Sequence, residues 1–299
     1  VDKSINFLKY KTVAIVMSLL MIGIFFGGTV SKGGLNYGID FVGGLKIIAK
    51  FSNNDVNEKT IRETLSDFSP TVQQIGENSK NEFIISTKLG DDAKANEGKT
   101  DSNGQNEIKN TLKKKFPGVS FISEENVGPA IGNFLKKSAV KLFVVAVVLM
   151  MFYLSFRFEM KYSIGAIVAL IHDITASVAF CGIAGVEINI PVVAALLTIF
   201  GYSVNDTIVI FDRIRENNLV KGKLLFSEVI NKSITQSISR TLLTSLTTLF
   251  AVLALYLLGG EVLNDFAMVL LFGIFVGTYS SVYIASPVLV AWEKLKIKK

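Results

Sequence analysis

The chain has 299 residues, 50% of them hydrophobic, with a mean hydropathy of +0.46, which is too apolar for an ordinary soluble protein and points to a multi-span membrane protein. A single cysteine, Cys181, excludes an intrachain disulfide, and one cysteine with one histidine leaves little for a zinc or copper centre. The net charge of +6 is not a nucleic-acid footprint: residues 31–137 carry 15 Lys/Arg against 14 Asp/Glu, and the excess lies between the apolar runs and at the two ends.

The chain opens on Val1, an opening that suggests a trimmed or replaced start. Lys3, Lys9 and Lys11 precede the apolar run Thr12–Val30, which outlasts the apolar core of a secretory signal peptide and reads as an uncleaved first span acting as a signal anchor. Residues 31–137 then read as one external α+β domain. "NYGIDFVGGLKIIAKF" predicts a strand in which Gly43 and Gly44 allow a bulge or a close backbone approach. "DVNEKTIRETLSDF" predicts a helix with an acidic N-cap and Ile61, Leu65 and Phe68 on its buried face. "TVQQIGEN" and "EFIISTK" predict strands joined by a turn around Asn78–Asn81, and the polar stretch from Gly90 to Gln105 a mobile loop. "NEIKNTLKKKF" predicts a second helix closed by Pro117-Gly118, and "VSFISEENV" a last strand. The order βαββαβ is that of a ferredoxin-like unit.

Five further runs approach the roughly 20 residues that a helix needs to cross the hydrocarbon layer: Ser138–Phe156, Tyr162–Gly182, Ile188–Phe211, Thr241–Leu258 and Phe266–Trp292. The fold class is therefore a six-span α-helical membrane protein with an extracytoplasmic ferredoxin-like domain. Its parts are 1–30 (cytoplasmic segment and first span), 31–137 (domain) and 138–299 (five spans). Lysines and arginines sort the connections. The N-terminal segment, Arg157, Lys161, the stretch Arg213–Lys232 and the tail Lys294–Lys299 are basic, whereas "GVEIN" and "LGGEVLND" hold no basic residue. Both termini are thus expected in the cytoplasm and the domain outside.

Ionisable groups inside spans are expensive and point to function. Asp206 falls about 22 Å past Pro191 along its helix and about 8 Å before Phe211. Thr198, Gly201, Tyr202, Asn205 and Asp206 form a polar stripe expected to face protein or water. The third span offers Gly165, Ala166, Ala169, His172, Asp173, Ala176 and Ser177 on one face; the fifth offers Arg240, Thr244, Thr247, Thr248 and Ala251. Desolvation favours the protonated form of a carboxylate, so such a group can load and unload a proton, and an arginine that approaches and withdraws can switch it. The hydroxyls and His172 also have a plain packing explanation. Gly23 with Gly27, and Gly273 with Gly277 and Ser281, read as packing seams. No nucleotide-binding loop or nucleophile elbow is present in the sequence.

The stretch "GYSVNDTIVIFDRIREN" (Gly201–Asn217) resembles the signature of the SecF branch of the SecD/SecF family of protein-export membrane proteins, within the resistance–nodulation–division superfamily. "GIDFVGG", "ENVGPAIGNFLKKSA", "FRFEMKYSIGAIVALIHDI" and "SITQSISRTLLTSLTTL" match the family in the same order, covering nearly the whole chain. The polar loop at 90–106 looks like an insertion against that pattern. The resemblance implies a non-enzymatic, cofactor-free subunit in the bacterial cytoplasmic membrane that works with SecD on the proton motive force to move preproteins. The partners it implies are SecD, the SecYEG translocon, small accessory subunits such as YajC, unfolded preprotein, protons and membrane lipid. It also implies proton coupling at Asp206 and Arg240, secondary roles for His172, Asp173, Asn205 and Tyr202, and a domain–membrane junction at Gly38, Asp40, Gly43 and Gly44. The alternatives are a proton-coupled small-molecule exporter of the same superfamily and an intramembrane aspartyl protease with Asp173 and Asp206 as its dyad. A proton-sharing dyad requires carboxylates in direct contact.

Overall fold

The computed structural model describes residues 5–53, 56–68, 70–75, 81–88, 100–220 and 222–297. After a 3₁₀ turn at Phe7–Tyr10, the first span is α1 (Lys11–Ser31). The domain follows as α2 (Ile39–Val42), β1 (Gly44–Lys50), α3 (Glu58–Thr64), β2 (Thr71–Ile75), β3 (Glu82–Lys88), α4 (Thr100–Lys115) and β4 (Ser120–Val127). Its four strands pair antiparallel in the order β2-β3-β1-β4, so each α-crossover skips one strand, as in the split βαβ units predicted. Alternation sends Leu45, Ile47 and Ala49 of β1, Phe83 and Ile85 of β3 and Val72 of β2 to one face, where they meet Ile61 and Leu65 of α3 and Ile108 and Leu112 of α4. Phe51 closes this core edge-on to Phe83 and Phe116, at 5.6 and 5.2 Å between ring centroids.

Three local expectations need correction. The stretch predicted as one strand from Asn36 is broken by α2, because Gly43 (φ +84°) ends the helical turn before β1 begins. The cap of α3 is Asn57, whose side chain accepts from the Thr60 N–H at 2.9 Å, and not an acidic residue. Helix α4 begins at Thr100, inside the stretch predicted as loop. Residues 90–99, and most of the turn expected around Asn78–Asn81, lie outside the described residues.

The remaining spans are α5 (Pro129–Arg157), α6 (Met160–Ala184), α7 (Ile190–Leu219), α8 (Phe226–Leu258) and a composite last span. That span is α9 (Glu261–Ser280), a π-helical turn (Ser281–Ala285) and α10 (Ser286–Ile297). Among the described residues six helices are long and apolar enough to cross a membrane. They outrun the predicted apolar stretches: α7 and α8 continue into the basic connection as a helical pair held by Arg213–Gln236 (2.8 Å), Asn217–Gln236 (2.8 Å) and Asn217–Ser233 (2.8 Å). The segment Asp212–Asn217, beyond the predicted run Ile188–Phe211, is therefore helix.

Helices α6, α7 and the last span form the centre of the bundle, while α1, α5 and α8 present Leu20, Ile24, Val144, Phe152, Leu243 and Phe250 outward, as lipid-facing helices do. Glycine lets the central helices close up. A side chain at Gly273 would run into Ile199 of α7, and one at Gly277 would come within 3.0 Å of Ser203. Gly23 and Gly27 do not make the matching seam in α1, since nothing lies within 4 Å of either position; the close approach there uses Gly28 against Ile183, and Thr29 against Gly182.

The basic connections gather at one end of the bundle. Ile5 and Leu8 bond to Thr235 and Asn231 of α8, and Arg157 lies 3.8 Å from Asp212. The domain occupies the opposite end. There the chain at 36–38 pairs with the α6–α7 connection through Gly38 N–H to Ile188 O and Ile188 N–H to Asn36 O, both 2.7 Å.

Candidate functional site

Two carboxylates are buried in the centre of the bundle, each served by its own set of donors. Asp173 on α6 is 0% exposed. Its Oδ1 lies 2.8 Å from His172 Nδ1, and its Oδ2 accepts from Ser280 at 2.7 Å and from Ser203 on α7. The predicted α6 face is buried as a whole: Gly165, Ala166, Ala169, Ala176 and Ser177 line the same side, and Gly165 leaves room for the Phe211 ring. His172 Nε2 is buried without a hydrogen-bond partner.

Asp206 on α7 is 2% exposed. Its Oδ2 accepts from Ser245 of α8 at 3.2 Å and from Thr278 of α9 at 3.4 Å, and these two hydroxyls lie 2.7 Å from each other. Among the described residues no cation pairs with Asp206, and no hydrogen bond joins it to Asp173. The direct contact required of a proton-sharing protease dyad is absent from this arrangement. The next residue, Thr207, pairs with Ser281 at 2.9 Å.

The other predicted residues lie at the rim. Thr198, Gly201 and Asn205 of α7 are exposed, and Tyr202 is half-buried with its hydroxyl unpartnered. On α8 the exposed side carries Arg240, Thr244, Thr247 and Ala251, whereas the buried side carries Thr241 and Ser245. The stripes, expected to face protein or water, thus lie mostly on the open side of this chain, and Asp206 marks the edge between the buried and the open face. Arg240 makes no ion pair among the described residues and lies five residues, about 7.5 Å along α8, before Ser245.

Sequence reasoning missed Ser203, Ser245, Thr278 and Ser280. Hydroxyls within the apolar run Phe266–Trp292 were a usable signal for Thr278 and Ser280. Nothing local separates Ser245 from Thr244, because adjacent residues on a helix differ only in which neighbour they meet.

At the domain end, Asp40 Oδ2 accepts the Ile190 N–H (2.8 Å) at the start of α7, beside the Asn189 cap on Val192. A side chain at Gly38 would meet Glu187 Oε1 at 2.9 Å and Ile188 O at 3.1 Å. Gly44 (φ +156°) passes so close to the Thr87 carbonyl that a Cβ has no room. Glu187 lies in the α6–α7 connection; burial pushes its carboxyl above the usual range, Asp265 and Asp40 add to this, and Lys88 and Lys46 oppose it.

A family model described as "Protein export membrane protein SecD/SecF, C-terminal" matches residues 107–295. The chain is 39% identical to the protein translocase subunit SecF of Desulfurispirillum indicum, over 97% of this chain and 92% of that one. It is 38% identical to the protein translocase subunit SecDF of Thermus thermophilus, over 98% of this chain and 39% of that longer one. The crystal structure of SecDF from Thermus thermophilus, titled a translocon-associated membrane protein, superposes with a TM-score of 0.80 at 36% identity, over 98% of this chain and 39% of that chain. SecDF in its super-membrane-facing form gives a TM-score of 0.72 over 100% and 40%. The chain thus spans about two fifths of the SecDF polypeptides and nearly all of the SecF ones. This chain belongs to the SecD/SecF family of protein-export membrane proteins.

Proposed function

We propose that this chain is the SecF-type subunit of a proton-driven protein-export machine in the bacterial cytoplasmic membrane, with both termini in the cytoplasm and the βαββαβ domain on the far side. The observation that carries the proton coupling is Asp206: a carboxylate buried at the meeting of three membrane helices, bonded to two hydroxyls and, among the described residues, to no cation. A lone charge in that setting is costly, so a proton gained or lost there changes the balance of the helices around it. Neutralised, the carboxyl can pack among hydroxyls; ionised, it draws donors or water.

The open polar face supports a membrane partner. Asn205, Arg240, Thr244 and Thr247 are exposed within or at the ends of spans, where lipid offers them nothing. We assign that face to SecD, whose spans would cover it and bring a group opposite Arg240; Arg240 then acts as the switching cation between the subunits. The relatives in which both parts occur in one polypeptide are named SecDF, which agrees with such a pairing. The translocon, small accessory subunits of the YajC kind, and the emerging preprotein complete the assembly. The domain, tied to the start of α7 through Asp40 and the 36–38 pairing, is the part that would carry motion to the preprotein, with Gly38, Gly43 and Gly44 shaping that junction.

The test is Asp206→Asn in cells that lack another copy of the subunit. The variant is expected to insert and to co-purify with its partner while losing the acceleration of preprotein export by a proton gradient. Wild-type acceleration in that variant would overturn the reading.

A further inference from the structure

Three residues within four positions of the last span hold three different buried groups. Thr278 donates to Asp206, Ser280 to Asp173, and Ser281 pairs with Thr207 one helical position past Asp206. No other segment among the described residues bonds to both carboxylates through neighbouring side chains. Immediately afterwards the helix widens into the π turn Ser281–Ala285. The cause is on the next turn: Pro287 has no N–H for the Tyr283 carbonyl, and its ring needs room there. Ser286 Oγ donates to the Ser281 carbonyl, five residues back, at 3.1 Å, and so occupies the widened turn. Turns of this kind are weak points in a helix and accompany function more often than regular turns do.

We infer that Thr278–Ser281 is the segment through which the state of Asp206 reaches the last span, with the π turn before Pro287 as the hinge that lets it move. Thr278 and Ser280 are positioning residues in this scheme. Ionised Asp206 accepts from Ser245 and Thr278 together. Once a proton sits on Oδ2, that oxygen donates to the nearer hydroxyl, Ser245, and Thr278 Oγ1 turns to the partners already beside it, the Ile274 carbonyl at 2.9 Å and Ser245 at 2.7 Å. The hold on the end of α9 is released while Ser280 stays on Asp173, and the wide turn absorbs the resulting rotation so that α10 moves relative to α9. The titratable groups facing this seam are Asp206 on α7 and His172 and Asp173 on α6; α8 and the last span bring the hydroxyls Ser245, Thr278, Ser280 and Ser281. Arg240 on α8 is exposed and bonds to none of them.

The inference rests on the proton-coupling reading of Asp206, and the experiment separates the two. A reporter cysteine, Lys294→Cys, is placed at the exposed end of α10 in a Cys181→Ser background, with the chain in membranes beside its partner. Maleimide labelling is measured at mildly acidic and mildly alkaline pH and normalised to the denatured chain. The parent is expected to change its normalised rate with pH by at least about fivefold, the lower end of ordinary coupling. Thr278→Val and Pro287→Ala are each expected to abolish that change, and Thr278→Ser, which keeps the hydroxyl, to retain it. Asp206→Asn abolishes it as well if the proton reading holds. A pH response that survives both Thr278→Val and Pro287→Ala but not Asp206→Asn overturns the inference and leaves the proton reading standing. A response that survives Asp206→Asn overturns the proton reading itself, and a parent with no response overturns the inference.

Discussion

Removing the Asp173 carboxylate tests how the centre of the bundle is held. Asp173→Ala takes the acceptor from three donors: His172 Nδ1, Ser203 and Ser280. The loss is not three equal parts. Ser280 already shares its proton with the Gly277 carbonyl at 3.1 Å, and Ser203 can turn to a carbonyl of its own helix. His172 has no such alternative, and its Nε2 is already unpartnered. Interhelical hydrogen bonds in membranes average about 0.6 kcal/mol and reach about 1.7, so the two from Ser203 and Ser280 give about 1–3 kcal/mol, and the contact to His172, within α6, adds the cost of stranding a buried ring nitrogen. Asp173→Asn should cost under about 1 kcal/mol, because its amide oxygen serves the serines while its N–H₂ donates to His172 Nδ1 once the ring changes tautomer and carries its proton on Nε2. Unfolding in mixed micelles, followed through Trp292, the sole tryptophan, reads both differences. Equal stability of Asp173→Ala and the parent, or an Asp173→Asn as weak as Asp173→Ala, would refute the reasoning.

Two other predictions concern the packing seam and the junction. Gly273→Leu forces a side chain into Ile199, and overpacking of this kind costs about 1–3 kcal/mol, read as lower thermal stability of the detergent-solubilised chain, whereas Gly23→Leu in the open face of α1 should be near neutral. The carboxyl of Glu187 is held above its usual range, first by burial and then by Asp265 and Asp40, so the folded state favours the proton. Its contribution to the junction is then complete at pH below the ordinary carboxylate range and is lost as pH rises through the raised folded value. Glu187→Gln should therefore stabilise the junction against limited proteolysis at neutral and alkaline pH and do little in acid; an equal gain at every pH would contradict this.

Much of the fold was legible because its signals are long. Apolar runs of about twenty residues marked all six spans, and alternating β1 and β3 with intervening helix patterns marked the βαββαβ order. What was not legible depends on neighbours. α2 hides in an apolar stretch that reads equally well as strand, and only Gly43 betrays the turn. The polar stripes of α7 and α8 were found, but not their direction, since periodicity fixes which residues share a face and not which body that face meets. Asp206 and Asp173 stood out as charges in apolar runs. Their partners did not, because a hydroxyl in a membrane helix can satisfy itself on its own backbone, as Thr244, Thr247 and Thr248 do here. Arg240 stood out as a charge, but not which side of the bundle it faces, and it lies on the exposed side.

The central claim is that Asp206 gains and loses a proton as the machine works. Infrared difference spectroscopy of the SecD-associated complex in membranes, stepped from mildly alkaline to mildly acidic pH, observes that event directly as a rising protonated-carboxyl C=O band. The band is expected in the parent and in Glu187→Gln, and its loss in Asp206→Asn, with the complex still assembled, is the result predicted. An undiminished band in Asp206→Asn would contradict it.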